Sequence, residues 1–215
     1  MSSSNKTRLG YLMIVSGLVI GLIAVLSLIN NQKTPKAPLS DLTSKSAPSS
    51  VRPGVQTVSS YSVPAADPKY IDIPVIGIAN TPILKLGLLS SGAISTPDNI
   101  YEAGWYDASS LPGQPGAMFI YGHVSSWTAD GIFYSLKKLL PGNKVIITRG
   151  DNTTYTYTVI STRVYPYNKV NMSQVLSPVN PKKPGLNLMT CTGQVISGTS
   201  EFNERLVVFT SLVAS

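Results

Sequence analysis

The amino-terminal part of this chain cannot contribute to a globular core, and that confines folding to the residues beyond it. Residues 9–29, LGYLMIVSGLVIGLIAVLSLI, carry no charge. As a helix rising about 1.5 Å per residue they are long enough to cross a hydrocarbon layer of about 30 Å. Lys6 and Arg8 precede the run, so the expected orientation leaves residues 1–8 in the cytoplasm. The run exceeds the roughly 7–15 apolar residues of a cleavable leader, and Ser27, Leu28, Ile29 and Asn30 make a poor cleavage site. An uncleaved single-pass signal anchor is therefore expected, with the rest of the chain outside the cell membrane. Residues 30–69 change character: Pro35, Pro38, Pro48, Pro53, Pro64 and Pro68 alternate with serine, threonine and lysine, and no strand or helix period persists. This is the composition of an extended, flexible linker. A folded domain is left to residues 70–215.

Within that domain, short apolar segments alternate with turn clusters. Residues 71–76 alternate in polarity and include Pro74, which fits an edge strand. Further strands are predicted at 81–84, 117–121, 144–149, 155–162, 186–190 and 206–210. Turns are predicted at Asp98-Asn99, at residues 111–116 (LPGQPG) and at Asp151-Asn152. Ile132, Phe133, Leu136, Leu139 and Leu140 fall on one helical face ended by Pro141 and Gly142, which predicts a helix. Many short strands with one helix predict a mostly β domain, and a barrel satisfies that pattern.

Charged residues make up only 13% of the chain, and the net charge is +7 without any dense basic run, which argues against nucleic-acid binding. The positive balance suits an anionic membrane or wall surface. One cysteine excludes an internal disulfide, and one cysteine with one histidine argues against a zinc site. HExxH, CxxC, phosphate-loop and GxSxG patterns are absent, and no cofactor is expected. The lone Cys191 fits either a buried small hydrophobe or a nucleophile.

Its company favours the second reading. His123 ends the apolar run 117–123, Cys191 ends the run 186–191, and Arg205 opens the run 205–210. If these strand ends converge, they supply a nucleophile, a proton carrier and an anion stabiliser. A thiol of ordinary pKa is barely ionised at neutral pH, so it needs a cation nearby. Imidazole can pass a proton to a leaving amine, and guanidinium can donate to an oxyanion while staying charged.

Gly122-His123, Gly131-Ile132-Phe133, Leu188-Met189-Thr190-Cys191 and Arg205-Leu206-Val207-Val208, in that order, resemble the sortases, which are membrane-anchored cysteine transpeptidases. The resemblance covers about 70–214. Residues 73–78, Gly104-Trp105-Tyr106 and Pro115-Gly116 look most like class F and the related class D and E groups. The resemblance implies an eight-stranded β-barrel with one or two short helices. It implies that Cys191 forms a thioacyl-enzyme on an LPXTG-like sorting signal, that His123 is proton donor and acceptor, and that Arg205 stabilises the oxyanion. The implied partners are proteins carrying that signal and an amine nucleophile of the cell wall or a surface protein. Thr190 matches the residue before the nucleophile and is expected to shape the substrate site. Residues 167–185 lie where the family selects substrate, with Val175, Leu176 and Val179 as candidate groove residues. The alternatives are a non-catalytic stalked barrel that binds surface ligands, and a cysteine peptidase that hydrolyses without transfer.

Overall fold

The computed structural model describes residues 48–50 and 61–213. The expected anchor over 9–29 lies outside them, and among the described residues no helix is long and apolar enough to cross a membrane. The described residues form eight strands: β1 (Pro68–Ile73), β2 (Ile78–Leu86), β3 (Ala103–Tyr106), β4 (Ala117–Gly122), β5 (Lys144–Arg149), β6 (Thr154–Pro166), β7 (Gly185–Val195) and β8 (Phe202–Leu212). They close a barrel in the order β1-β2-β3-β4-β7-β8-β6-β5. Among the described residues one α-helix, the four-residue α1 (Met172–Val175), precedes β7, and its Asn171 cap accepts from the Gln174 amide at 3.2 Å. The pairs β2/β3 and β4/β7 are parallel, and the other neighbours are antiparallel.

Closure corrects the edge-strand expectation. β1 pairs with β2 on one side and β5 on the other, so it has no free edge. Pro74 is accommodated because it lies just past the strand, in a 3-10 turn over Pro74–Ile76. Gly77 ends that turn at φ 73°, a left-handed conformation that glycine adopts without a Cβ penalty. The predicted helix over 132–140 is also absent; a 3-10 turn over Leu136–Lys138 occupies its centre. Phe133, Leu136 and Leu139 are buried while Leu140 is 65% exposed. The buried residues recur every three positions, which is the period of the tighter turn. β3 escapes the sequence pattern because its four residues are too few to show alternation. Gly104 within it lies against Leu86 and Tyr121, where a Cβ would come within 2.7 Å of Leu86 Cδ1.

Alternation divides the apolar residues between two cores. Met118 and Ile120 of β4, Leu186 and Leu188 of β7, and Leu206 and Val208 of β8 point into the barrel with Ile71, Phe133, Val145 and Tyr157. The intervening Phe119, Tyr121, Met189, Val207 and Phe209 face outward and pack under Met172 and Val175 of α1. β4 and the first half of β7 are therefore buried on both faces, which explains their near-continuous apolar runs. Asn187 ties the outer layer to β7: its Nδ2 donates to the Val175 and Ser177 carbonyls at 2.6 and 3.0 Å. Leu188 is fully buried in the barrel core. Leu188→Ala is expected to lower unfolding free energy by about 2–5 kcal/mol in a urea titration, and a loss below about 1 kcal/mol would contradict this packing.

Candidate active site

Strand alternation and register build the site. His123, Cys191 and Arg205 each continue an outward row: Phe119 and Tyr121 of β4, then His123 just past its end; Asn187, Met189 and Cys191 on β7; Phe209, Val207 and Arg205 on β8. β4 and β7 run parallel with Tyr121 opposite Met189, so two residues further on His123 comes beside Cys191. On the other flank Cys191 is paired directly with Arg205. The three side chains line one small cavity of about 40 Å³, together with Thr96, Pro97, Tyr121, Met189 and Thr190.

His123 is held from two sides. Its Nε2 lies 2.8 Å from the Pro97 carbonyl and donates to it, which assigns the neutral tautomer and leaves Nδ1 as the other nitrogen. Tyr121, two residues earlier on the same face, donates its hydroxyl to the Ser95 carbonyl. The outward side chains of Tyr121 and His123 thus fasten residues 95–97 beside the cavity. The His123 carbonyl accepts from the Phe133 amide at 3.0 Å. That approach needs glycine at 131, where a Cβ would sit 2.4 Å from the His123 oxygen. Burial lowers the His123 pKa from its ordinary 6.5, and the Pro97 bond and the Asp98 charge oppose the shift.

Cys191 is partly exposed to the cavity and carries a free thiol. Its dense surroundings raise the thiol pKa above the usual 9.0; the Arg205 charge lowers it and the Glu201 charge raises it further. The resting pair at neutral pH is therefore a thiol and a neutral imidazole.

Arg205 is the largest fully buried side chain, 1% exposed. One terminal nitrogen donates to the Phe202 and Glu204 carbonyls at 2.8 and 3.0 Å. The other forms an ion pair with Glu201. Its guanidinium carbon stands 5.8 Å from the centre of the Tyr167 ring, a cation–π contact. Its Nε is buried without a hydrogen-bond partner.

Thr190 points the other way from Cys191 and donates its hydroxyl to the Gly122 carbonyl at 2.8 Å. This bond clamps the end of β4 to the middle of β7, one residue before His123 and one before Cys191. Val175 is buried in the outer core at 1% exposure, Leu176 packs partly against it, and Val179 is 43% exposed. None of these three lines the cavity that holds Cys191. Sequence reasoning misses Thr96, Pro97, Tyr121, Met189 and Glu201. Tyr121 and Met189 share the parity of His123 and Cys191 and are findable on that ground. Thr96, Pro97 and Glu201 come from connections without periodicity, and nothing local marks them. Among the described residues, no group of three or more His, Cys, Asp or Glu side chains is placed to hold a metal.

A barrel carrying a histidine just past β4, a cysteine within β7 and an arginine beside it on β8 matches one family. The sortase domain model matches residues 71–213, and the chain belongs to the sortase family, a family of cysteine transpeptidases. Among solved structures, it is similar to a lid mutant of sortase A from Corynebacterium diphtheriae, at 25% identity and TM-score 0.53, covering 71% of this chain and 72% of that one. A pilus-related sortase C of Group B Streptococcus shares the fold at 22% identity and TM-score 0.56, covering 91% of this chain and 89% of that one. Sortase A from Actinomyces oris shares it at 22% identity and TM-score 0.52, covering 71% and 83%. No curated protein matches the chain in sequence.

Because Cys191 is the one cysteine of the chain, its ionisation can be read from alkylation. Iodoacetamide labelling followed against pH is expected to give a midpoint above 9.0, the direction in which burial pushes the thiol. Arg205→Met removes the opposing cation and is expected to move the midpoint higher still. A midpoint near 7, or a fall on removing Arg205, would contradict the electrostatics described.

Proposed function

We propose that this protein is a membrane-anchored sortase that cleaves an LPXTG-like sorting signal and joins the new carboxyl end to an amine at the cell surface. Family membership supports the transpeptidase chemistry. The observation that carries the assignment of roles is the shared cavity of His123, Cys191 and Arg205. The Cys191 thiolate adds to the carbonyl of the Thr–Gly bond, and Arg205 donates to the oxygen as it becomes negative. The intermediate collapses as His123 passes a proton to the departing glycine amine, leaving the threonyl acyl group on sulfur. An incoming amine then adds to this thioester, His123 takes up its proton, and the thiol is released as the new amide forms. Nδ1 carries this proton, since Nε2 is held by Pro97. The neutral residents must first exchange a proton to become thiolate and imidazolium.

The finer assignments belong to the same reading. Residues 9–29 anchor the chain once, with the barrel outside the membrane. The proteins acted on carry the sorting signal, and the acceptor is an amine of the wall or of a surface protein. Thr190 acts on substrate indirectly, through the spacing of β4 and β7. Val175 and Leu176 shape the outer layer beneath which substrate residues pass, and Val179 offers an exposed apolar contact. Residues 73–78, Gly104-Trp105-Tyr106 and Pro115-Gly116 support class F or the related class D and E groups.

The test incubates the protein with a panel of fluorogenic Leu-Pro-x-Thr-Gly peptides, with and without oligoglycine. Cleavage and an amine-dependent ligation product are expected. Cys191→Ala and His123→Ala are expected to abolish both, and Arg205→Met to lower kcat by about 10²–10³-fold. Equal activity in Cys191→Ala would end the proposal. With thiolate and imidazolium both required, kcat/KM falls as pH drops through the lowered His123 pKa and falls again as pH rises through the raised Cys191 pKa. The expected acid limb lies below pH 6.5 and the alkaline limb above pH 9.0. A flat profile would contradict the paired roles.

A further inference from the structure

We propose that Glu201 is a positioning residue, holding the Arg205 guanidinium beside the sulfur so that its unpartnered Nε is presented to the reacting carbonyl. The proposal rests on the role given to Arg205 above. A guanidinium has five N–H donors in a rigid plane, and burying it requires that they be satisfied. Here one terminal nitrogen is committed to the Phe202 and Glu204 carbonyls and the other to the Glu201 carboxylate. Nε is buried without a partner, in a residue that lines the cavity with Cys191 and His123. An orphaned buried donor is costly unless a ligand completes it. A substrate carbonyl oxygen at the Cys191 sulfur has the chemistry to do so.

Glu201 is itself fixed rather than floating on a surface loop. Its amide donates to Thr199 Oγ1 at 3.1 Å, and its carbonyl accepts from the Ile196 amide at 2.8 Å. Thr199 in turn donates its hydroxyl to the Ile196 carbonyl at 2.9 Å. The loop between β7 and β8 is thus closed by its own bonds, and it delivers a carboxylate to one terminal nitrogen of the guanidinium. With Glu201 removed, the two carbonyls hold one terminal nitrogen alone, and the plane can turn about that point. The charged groups acting on the sulfur are Arg205 of β8 and Glu201 of the loop, and the other titratable side chains lining the cavity are Tyr121 of β4 and His123 just past its end.

The test is a double-mutant cycle of Glu201→Gln and Arg205→Met in the full chain, read in two ways. The first is kcat and KM on a fluorogenic Leu-Pro-x-Thr-Gly peptide with oligoglycine. Glu201→Gln is expected to lower kcat at least about tenfold with KM little changed, and to have no further effect once Arg205 is methionine. The second is the pH midpoint of Cys191 alkylation by iodoacetamide, which needs no substrate. In the Arg205→Met background, Glu201→Gln removes only a negative charge and moves the midpoint to lower pH. With Arg205 present it also loosens the cation that favours the thiolate, so the move is smaller or reversed. Equal midpoint moves in both backgrounds, or an unchanged kcat in Glu201→Gln, would overturn the proposal. If Arg205→Met does not fold, the neutral Arg205→Gln takes its place in the cycle. Full activity in the Arg205 variant refutes the Arg205 role itself; a crippled Arg205 variant beside a fully active Glu201→Gln refutes only the positioning claim.

Discussion

Three hydrogen-bonded strands held in one register are what the rest of this protein depends on. β7 lies between β4 and β8, with Tyr121 opposite Met189 on one side and Cys191 opposite Arg205 on the other. Side chains on a strand alternate between faces, so a slip of one residue in β7 would turn Cys191 into the barrel and bring Thr190 out in its place. The apolar residues on both faces prevent that slip. Leu186 and Leu188 need the interior, and Met189 needs the layer under α1. The same burial that stabilises the sheet therefore fixes which side of it carries the chemistry.

Local bonds refine what register sets coarsely. Thr190 ties β7 to the Gly122 carbonyl, which fixes the distance between the two strands at the point where they present His123 and Cys191. The Pro97 carbonyl orients the imidazole, and the Tyr121 hydroxyl holds the same segment through Ser95. On β8, a buried guanidinium stripped of its partners costs several kcal/mol. The Phe202 and Glu204 carbonyls, the Glu201 carboxylate and the Tyr167 ring offset that cost and keep the cation beside the sulfur. Burial pushes the thiol and the imidazole toward their neutral forms, and Arg205 is the charge that favours thiolate.

Much of this is legible in the residues, for physical reasons. Runs such as 117–121 and 186–190 are buried on both faces and read as strands at sight. Counting by twos along them, from Phe119 to His123 and from Asn187 to Cys191, places the reactive groups on a common face. The pairing of β4 with β7 and the closure through β5 and β1 depend on contacts far apart in the chain, which periodicity does not encode. From its residues alone, β1 therefore reads as an edge. The helix expected over 132–140 fails because its buried residues repeat every three positions. Residues 95–97 and Glu201 lie in connections, where side chains are placed by the fold and not by local pattern.

The register claim has a direct covalent test, because Cys191 has no other cysteine in the chain to pair with. His123→Cys and Arg205→Cys, oxidised separately and followed by intact mass, are each expected to lose two hydrogens as an intramolecular disulfide to Cys191. Glu204→Cys, one residue along β8 and on the opposite face, is expected to stay reduced under the same conditions. Reduced thiols at 123 and 205, or an equal yield of disulfide at 204, would contradict the common face on which the account of the site is built.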